Sequence, residues 1–236
     1  MPQGFLLHSR KYRETSVIAS LLTESEGRLD VIIRASRGNK NRTSQPLLFC
    51  LYDLEWSGKS DLKHLQSAEP LGLPVSFSGQ QLYCGFYVNE LIYRLLPHYH
   101  AEPVVFALYA DVIEKLQHCE DVESLLRQFE FGLLAALGYG LSLGQDMAGK
   151  AIDAGQDYVY LVDRGLVLVS DQASGSYSVS GQGHVGRGAD FVAMSQNDFS
   201  SDEVKKIAKR MMRQILAHHL GGKPLRSRDF FLQSPE

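Results

Sequence analysis

Five short runs of alternating apolar residues lie between Gly4 and Glu69, and turn residues separate them. The runs occupy residues 5–8, 17–23, 28–35, 47–56 and 62–68. Alternation at a period of two is typical of strands that bury one face. Five such strands, with no helix long enough to cover a sheet, are typical of a small closed barrel of the OB or SH3-like kind. We favour an OB barrel.

A basic connection joins the third and fourth runs. Its cations are Arg34, Arg37, Lys40 and Arg42, set among Ser, Gly, Asn and Thr. From Arg28 to Arg42 five cations oppose one acid, a local charge of +4, whereas the whole chain carries -3. Clustered Lys and Arg gain affinity for a phosphate backbone by releasing its counterions. The pattern predicts a solvated loop that contacts nucleic acid, as a basic patch on a protein that is not basic overall.

A lone charge run is more often only a solvated connection. In this chain the predicted barrel also carries aromatic residues, namely Phe5, Phe49, Tyr52 and Trp56. Barrels of this type bind single strands by combining a positive groove with base stacking. The combination favours contact with nucleic acid over a merely solvated loop.

Helical spacing replaces the alternation after residues 70–74, so we place a domain boundary there. Residues 1–74 are then an OB-fold nucleic-acid-binding domain, and residues 75–236 are a helical domain. Helices are predicted from a capping box of Ser78 and Gln81 to residue 96, from near Pro103 to residue 116, and over residues 122–137. A β-rich, Gly-containing insertion at about 142–193 holds a hairpin of runs 158–162 and 166–170. The fold class is therefore α+β.

The last long helix is predicted to begin with a capping box of Ser200 and Glu203. Its polar faces carry Lys205, Lys206, Lys209, Arg210 and Arg213, and the only acids beside them in the sequence lie in its first turn. Such a face is either merely solvated or a site for DNA or an acidic partner. A polar tail with Lys223, Arg226 and Arg228 follows.

Enzyme motifs are weak throughout the chain. Residues 181–186 satisfy G-x-G-x-x-G, but the residues after Gly186 do not start a convincing helix, so a Gly-rich turn is favoured over dinucleotide binding. The three cysteines lie far apart, which is typical of buried thiols in a reducing compartment. No apolar run approaches the ~20 residues that span a bilayer, so we expect a cytoplasmic protein.

Several motifs together make the sequence resemble the RecO family of bacterial recombination mediators. They are Leu7-His8-Ser9-Arg10 with Glu14-Thr15-Ser16, Leu82 to Leu91 in the first helix, Arg127-Gln128-Phe129-Glu130, Leu137-Gly138-Tyr139-Gly140, and Leu220 to Arg228 at the end. The resemblance covers nearly the whole chain. It implies an N-terminal OB barrel and a C-terminal helical domain in a protein that is not an enzyme.

The resemblance also implies partners. Proteins of this family bind single- and double-stranded DNA, anneal complementary strands, and work with RecR, and in some bacteria with RecF, to load RecA onto strands coated by single-strand-binding protein. It further implies capture of the acidic tail of single-strand-binding protein on the helical domain. We expect association with the nucleoid and none with a membrane.

These expectations assign residues to two sites. The predicted DNA-binding residues are Arg34, Arg37, Lys40, Arg42, Lys223, Arg226 and Arg228. The predicted tail-binding residues are Arg127, Lys206, Lys209 and Arg210, with Phe129 and Met211 as candidates for an apolar pocket that are equally good core residues.

Many relatives carry a four-cysteine zinc site after the Leu-Gly-Tyr-Gly motif, whereas residues 141–160 of this chain contain no cysteine and no histidine. We therefore expect no metal and no cofactor. The alternative function is that of a protein-interaction adaptor whose barrel binds a peptide. Strong, salt-sensitive binding of single-stranded DNA would distinguish the mediator from the adaptor.

Overall fold

The computed structural model describes residues 1–34, 45–169 and 183–233. Within these ranges no helix is both long and apolar enough to cross a membrane. The chain divides into two compact units. Unit 1 is Met1–Cys119 together with the C-terminal segment from Leu225, and unit 2 is Glu120–Pro224. This division is one of compactness, and the domain boundary after residue 74 stays a prediction.

The N-terminal strands of unit 1 close into a barrel. They are β1 (Gln3–Tyr12), β2 (Ser16–Thr23), β3 (Gly27–Arg34), β4 (Leu51–Ser57) and β5 (Leu62–Pro70). Their order is β1-β2-β3-β5-β4, and β1 pairs with β4 to close the ring. Only the contact of β3 with β5 is parallel among the barrel pairs of the described residues. The predicted five-stranded OB-type barrel is confirmed.

Burial in β3 alternates as the sequence predicts, whereas β2 is buried on both faces from Ile18 to Thr23. In β3, Leu29 and Val31 are fully buried and Ile33 is 5% exposed, while the residues between them face outward. The fourth strand differs, because it begins at Leu51 and not at residue 47. The chain turns at Phe49, whose φ is 59°, and only Leu48 bridges to Leu6 before the strand starts.

Helices α1 (Gly79–Leu95), α2 (Pro103–Leu116) and α6 (Ser227–Gln233) complete unit 1. A buried polar chain ties the first two to the barrel. The Asn89 side-chain N–H donates to the carbonyl of Leu7 over 3.0 Å, and the Tyr109 hydroxyl donates to the Asn89 amide oxygen over 2.8 Å. Both side chains are at most 3% exposed, so these bonds fix α1 and α2 against β1 in the absence of competing water.

Unit 2 contains α3 (Val122–Ala136), β6 (Asp157–Leu161), β7 (Gly165–Leu168), β8 (His184–Arg187), α4 (Gly188–Ser195) and α5 (Asp202–His219). The sheet order is β7-β6-β8, with antiparallel pairing throughout. The β6–β7 hairpin confirms the predicted one. Strand β8 and helix α4 were not predicted.

Helix α4 corrects the expectation that no helix follows Gly186. It begins directly after β8, at Gly188, where a Cβ atom would lie 2.0 Å from the carbonyl oxygen of Asp153. Glycine is therefore required there by a close backbone approach. Dinucleotide binding still lacks its structural setting, because β8 is antiparallel to β6 and does not form a βαβ unit with it. Gly181 and Gln182 of the motif lie outside the described residues.

Both predicted capping boxes are wrong. Ser78 occupies the N-cap of α1 but its side chain makes no capping bond, and the Gln81 side chain donates to the carbonyl of Gln117 instead. Helix α5 begins one residue later than predicted, with Ser201 at its N-cap, and that side chain makes no capping bond either.

Candidate nucleic-acid interface

The predicted DNA-binding residues fall into three groups. Arg34 is exposed at the end of β3, whereas Arg37, Lys40 and Arg42 lie outside the described residues. Arg226 is exposed and Arg228 half-buried, and both belong to unit 1. Lys223 is exposed in unit 2. The fold thus brings Arg34 and the two tail arginines, which are far apart in sequence, into one compact unit.

The β1–β2 hairpin adds three cations that our sequence analysis did not assign to the site. Arg10, Lys11 and Arg13 are all exposed. Tyr12 pairs with Ser16, and Ser16 pairs with Arg34 on β3, so the hairpin tip and the start of the basic connection share one end of the barrel. The sequence did carry a signal for them, since three of the four residues from Arg10 to Arg13 are cationic.

The barrel aromatics are not available for base stacking, contrary to the expectation. Phe5, Phe49 and Tyr52 are 5%, 5% and 6% exposed, and Trp56 packs partly buried against the barrel core. The ring of Phe5 packs against α2 and that of Phe49 against α1, while Tyr52 lies in the barrel core and Trp56 packs against it. A strand pattern cannot distinguish an aromatic residue that fills a barrel from one that faces a ligand.

Two accessible aromatic rings of unit 1 lie where α6 meets α1. Phe230 and Phe231 are 40% and 38% exposed. The ring of Phe230 stacks on that of Tyr83 at a centroid distance of 5.7 Å and an interplanar angle of 18°. It also lies 5.7 Å from the ring of Phe86. Sequence reasoning missed this cluster because its members come from helices at opposite ends of the helical region.

Glu90 of α1 holds the start of α6. Its carboxylate accepts the backbone N–H of Arg226 over 3.0 Å, the N–H of Ser227 over 2.8 Å and the Ser227 hydroxyl over 2.7 Å. Burial alone would raise the pKa of Glu90, but the Ser227 and Arg226 hydrogen bonds outweigh it and the pKa is lowered. The carboxylate is therefore charged at neutral pH and fixes the tail arginines on unit 1.

Electrostatic coupling links the hairpin to the tail through His8. Burial lowers the pKa of His8 most, and the positive charge of Arg10 lowers it next; Asp30 then raises it, Arg226 lowers it by less, and Glu90 raises it least. One imidazole therefore senses a cation from each end of the chain. Such overlapping positive fields attract phosphate groups and raise association rates.

The predicted tail-binding residues have different surroundings. Arg127 is 6% exposed, and its guanidinium lies 2.6 Å from the Glu130 carboxylate, so it is not presented at the surface of unit 2. Phe129 and Met211 are 3% and 0% exposed and are core residues. Lys206, Lys209 and Arg210 are exposed.

The basic face of α5 carries less free charge than its sequence indicates. Acids of α3 and its N-cap pair with it, since Lys205 lies 2.7 Å from Asp121 and Lys209 lies 2.8 Å from Glu123. Hydrogen bonds from Lys205 and from Ser124 lower the pKa of Asp121 to about 2. Among the residues that the structure describes, no ion pair engages Arg210, which is therefore the least neutralised of the proposed cations.

Within the described ranges no group of three or more His, Cys, Asp or Glu residues is placed to hold a metal ion. The absence of zinc stays a prediction. In the insertion, the Asp146 carboxylate accepts the N–H groups of Ala148 and Lys150, each over 2.9 Å. These bonds close the turn through the protein's own atoms.

Comparison with known protein families gives two matches that together cover residues 2–229 except residue 75. A model described as the Recombination protein O N terminal matches residues 2–74, and one described as the Recombination protein O C terminal matches residues 76–229. The chain is 38% identical to the DNA repair protein RecO of Pseudomonas paraeruginosa, with 98% of this chain and 94% of that protein covered. It is 37% identical to the protein of the same name from Methylococcus capsulatus, with 99% and 93% covered. The same-named protein of Stutzerimonas stutzeri is 40% identical, with 99% and 94% covered.

Proposed function

This chain belongs to the RecO family of DNA repair proteins, and from that premise we propose that it is a DNA-binding mediator of recombinational repair. It binds single- and double-stranded DNA, anneals complementary strands, and helps to load RecA onto strands coated by single-strand-binding protein. It needs no catalytic residue for these tasks, and because it acts on DNA we expect it to associate with the nucleoid. The observation that carries the proposal is the group of exposed cations on unit 1, namely Arg10, Lys11, Arg13, Arg34 and Arg226.

Binding of this kind is largely sequence-independent. Cations on a hairpin tip and in a connection between strands bond to phosphate oxygens, which position a nucleic acid without reading its bases. Each phosphate contact with a single strand contributes about -0.7 to the slope of log K against log salt. If the connection from Arg34 to Arg42 makes about three or four contacts, it accounts for a slope of roughly -2 to -3.

A salt titration of binding to mixed-sequence single strands tests the proposal. The first variant changes Arg34, Arg37, Lys40 and Arg42 to Ala, and the second changes Arg10, Lys11 and Arg13 to Ala. We expect both to bind all sequences more weakly and with a shallower slope. A variant with Lys59, Lys115 and Lys150 changed to Ala is the control, because it removes the same charge as the second variant from exposed positions elsewhere.

Slopes and affinities that coincide for the wild type and both variants, with all three folded, would remove the DNA site from this end of the barrel. Absence of salt-sensitive binding in the wild type would favour the adaptor function. An annealing assay with complementary strands coated by the cognate single-strand-binding protein then tests the mediator role directly, and we expect the second variant to anneal more slowly.

RecR, and RecF where it acts, are proposed as further partners on the strength of the family alone. For the acidic tail of single-strand-binding protein we propose a site on unit 2 with Lys206, Lys209, Arg210 and Arg127. The three exposed residues are the ones that can meet carboxylates directly. Arg127 is buried and paired with Glu130 of the same helix, so its part would be indirect, through the structure of α3.

The test compares tail-peptide affinity of the wild type with that of Lys206→Glu and Arg210→Glu combined, and Lys59→Glu and Lys150→Glu combined, at exposed positions, are the control for net charge. We expect the combined variant to bind the peptide at least tenfold more weakly, since it reverses two charges at the proposed site. Unchanged affinity would move the tail site elsewhere.

A further inference from the structure

A groove of about 440 Å³ opens on unit 1 beside β1. Leu6 and Ser9 of β1 form one side, and the turn residues from Gln45 to Phe49 and from Pro74 to Ser76 form the rim. Leu82 and Phe86 of α1 form the other side. Its volume lies in the range of about 300–1,000 Å³ that is typical of small-ligand sites.

The lining combines a flat ring with a polar edge. Phe86 is half-buried, and its ring is held between those of Phe49 at 6.0 Å and Phe230 at 5.7 Å. At the rim, exposed Gln45 donates one side-chain N–H to the Ser9 hydroxyl over 3.0 Å. Among the described residues no other hydrogen bond engages that amide, so its oxygen and second N–H can bond a ligand.

Charge indicates what kind of ligand fits. Arg10 and Lys11 follow Ser9 in β1 and Arg13 lies in the turn after it, so all three cations lie within four residues of the groove lining. An apolar cleft with an aromatic face, next to cations in a row, is the combination that proteins use for unstacked bases of a single strand. A wholly apolar protein segment would gain nothing from the cations.

We propose that this groove holds one unstacked base of a bound single strand, with the ring of Phe86 as its stacking partner and the Gln45 amide and Ser9 hydroxyl at its polar edge. The proposal rests on the single-strand binding proposed above. Phosphates flanking the base contact the β1–β2 hairpin. A base in this groove also accounts for single-strand contact by a barrel whose own aromatic residues are buried or partly buried.

The experiment measures the affinity of the full-length protein for two strands of equal length and charge. One is a thymidine strand, and the other has abasic tetrahydrofuran units in place of its nucleosides. Stacking of a base on an aromatic ring is worth about 1–3 kcal/mol, so the wild type is expected to prefer the thymidine strand by about 5- to 150-fold.

Phe86→Leu keeps the apolar volume and removes the ring, and Gln45→Ala removes only an exposed amide. Both are expected to reduce the preference several-fold while affinity for the abasic strand stays the same. Phe106→Leu is the matched control, because Phe106 is a partly buried ring of the same unit that packs on Phe5 outside the groove. It should keep the wild-type preference. Gln45→Ala decides the matter if Phe86→Leu does not fold.

Three results would overturn the proposal, and they differ from one another. Equal wild-type affinity for both strands means that the protein binds only the phosphates. That result leaves the proposed function intact and shows that the groove does not bind a base. A preference that both variants retain places the base elsewhere. No binding of either strand removes the proposed function together with the groove.

Discussion

Replacing Glu90 with Ala should release the C-terminal helix from unit 1 without unfolding the barrel. In the wild type the Glu90 carboxylate accepts three hydrogen bonds from Arg226 and Ser227. It also lies 3.5 Å from the guanidinium of Arg94. Alanine leaves all these donors without their common acceptor.

The cost follows from the burial of Ser227, which is 3% exposed. A buried donor that loses a charged acceptor costs about 1–3 kcal/mol, and Ser227 contributes two such donors, its N–H and its hydroxyl. The exposed Arg226 N–H can turn to water and costs less. We therefore expect the local opening of α6 to become easier by about 2–6 kcal/mol, which corresponds to amide exchange that is about 30- to 20,000-fold faster.

Hydrogen exchange read by mass spectrometry checks this directly on peptides that cover Ser227–Gln233. Exchange in the strands of the barrel should be unchanged, and single-strand affinity should fall because Arg226 and Arg228 are no longer held on unit 1. Glu114→Gln is the control, since it removes one carboxylate charge from an exposed position on α2. Wild-type protection of α6 in the Glu90→Ala variant would show that ring contacts alone hold the helix and that the carboxylate argument is mistaken.

Three further predictions concern stability and metal. Asp121→Ala should cost about 0.5–2 kcal/mol at pH 7, because the carboxylate caps α3 by accepting the N–H of Ser124 and also binds Lys205. The pKa of Asp121 in the folded protein, about 2, lies below the ordinary value of 3.8. The stability that its carboxylate contributes is therefore present above pH 4 and should vanish as the pH falls through 2. Urea unfolding of the wild type and the variant at several pH values would reveal this. Tyr109→Phe should cost about 1–3 kcal/mol of stability in the same assay, because it removes the hydroxyl that donates to the buried amide oxygen of Asn89. A cost near zero would contradict that account. Elemental analysis should find no stoichiometric zinc, and a chelator should leave the melting temperature unchanged; one zinc per chain would refute both expectations.

Local patterns predicted most of the fold because the forces behind them act locally. The alternation in β3 specified which of its side chains enter the barrel, and a single-residue slip would have turned every one of them outward. Helix α3 was predicted within one residue of its observed end, because its apolar stripe and the glycine that follows it are both visible in the local sequence. Strand β8 is only four residues long and its pairing with β6 is non-local, so no window of sequence could reveal it.

Charge on a surface is a property of the neighbours that folding supplies, and that is why the two basic segments fared differently. Lys205 and Asp121 are 84 residues apart in sequence yet 2.7 Å apart in space, so the one-signed helix face indicated by the sequence is partly neutralised in the fold. At the barrel end the same effect runs the other way, because strand pairing adds the hairpin cations to Arg34. A run of cations in a sequence therefore does not fix the local electrostatic potential, because folding can add charge to it or neutralise it. The salt slope of the hairpin variant measures that field directly, and it should change even though no residue of the original basic connection has been altered.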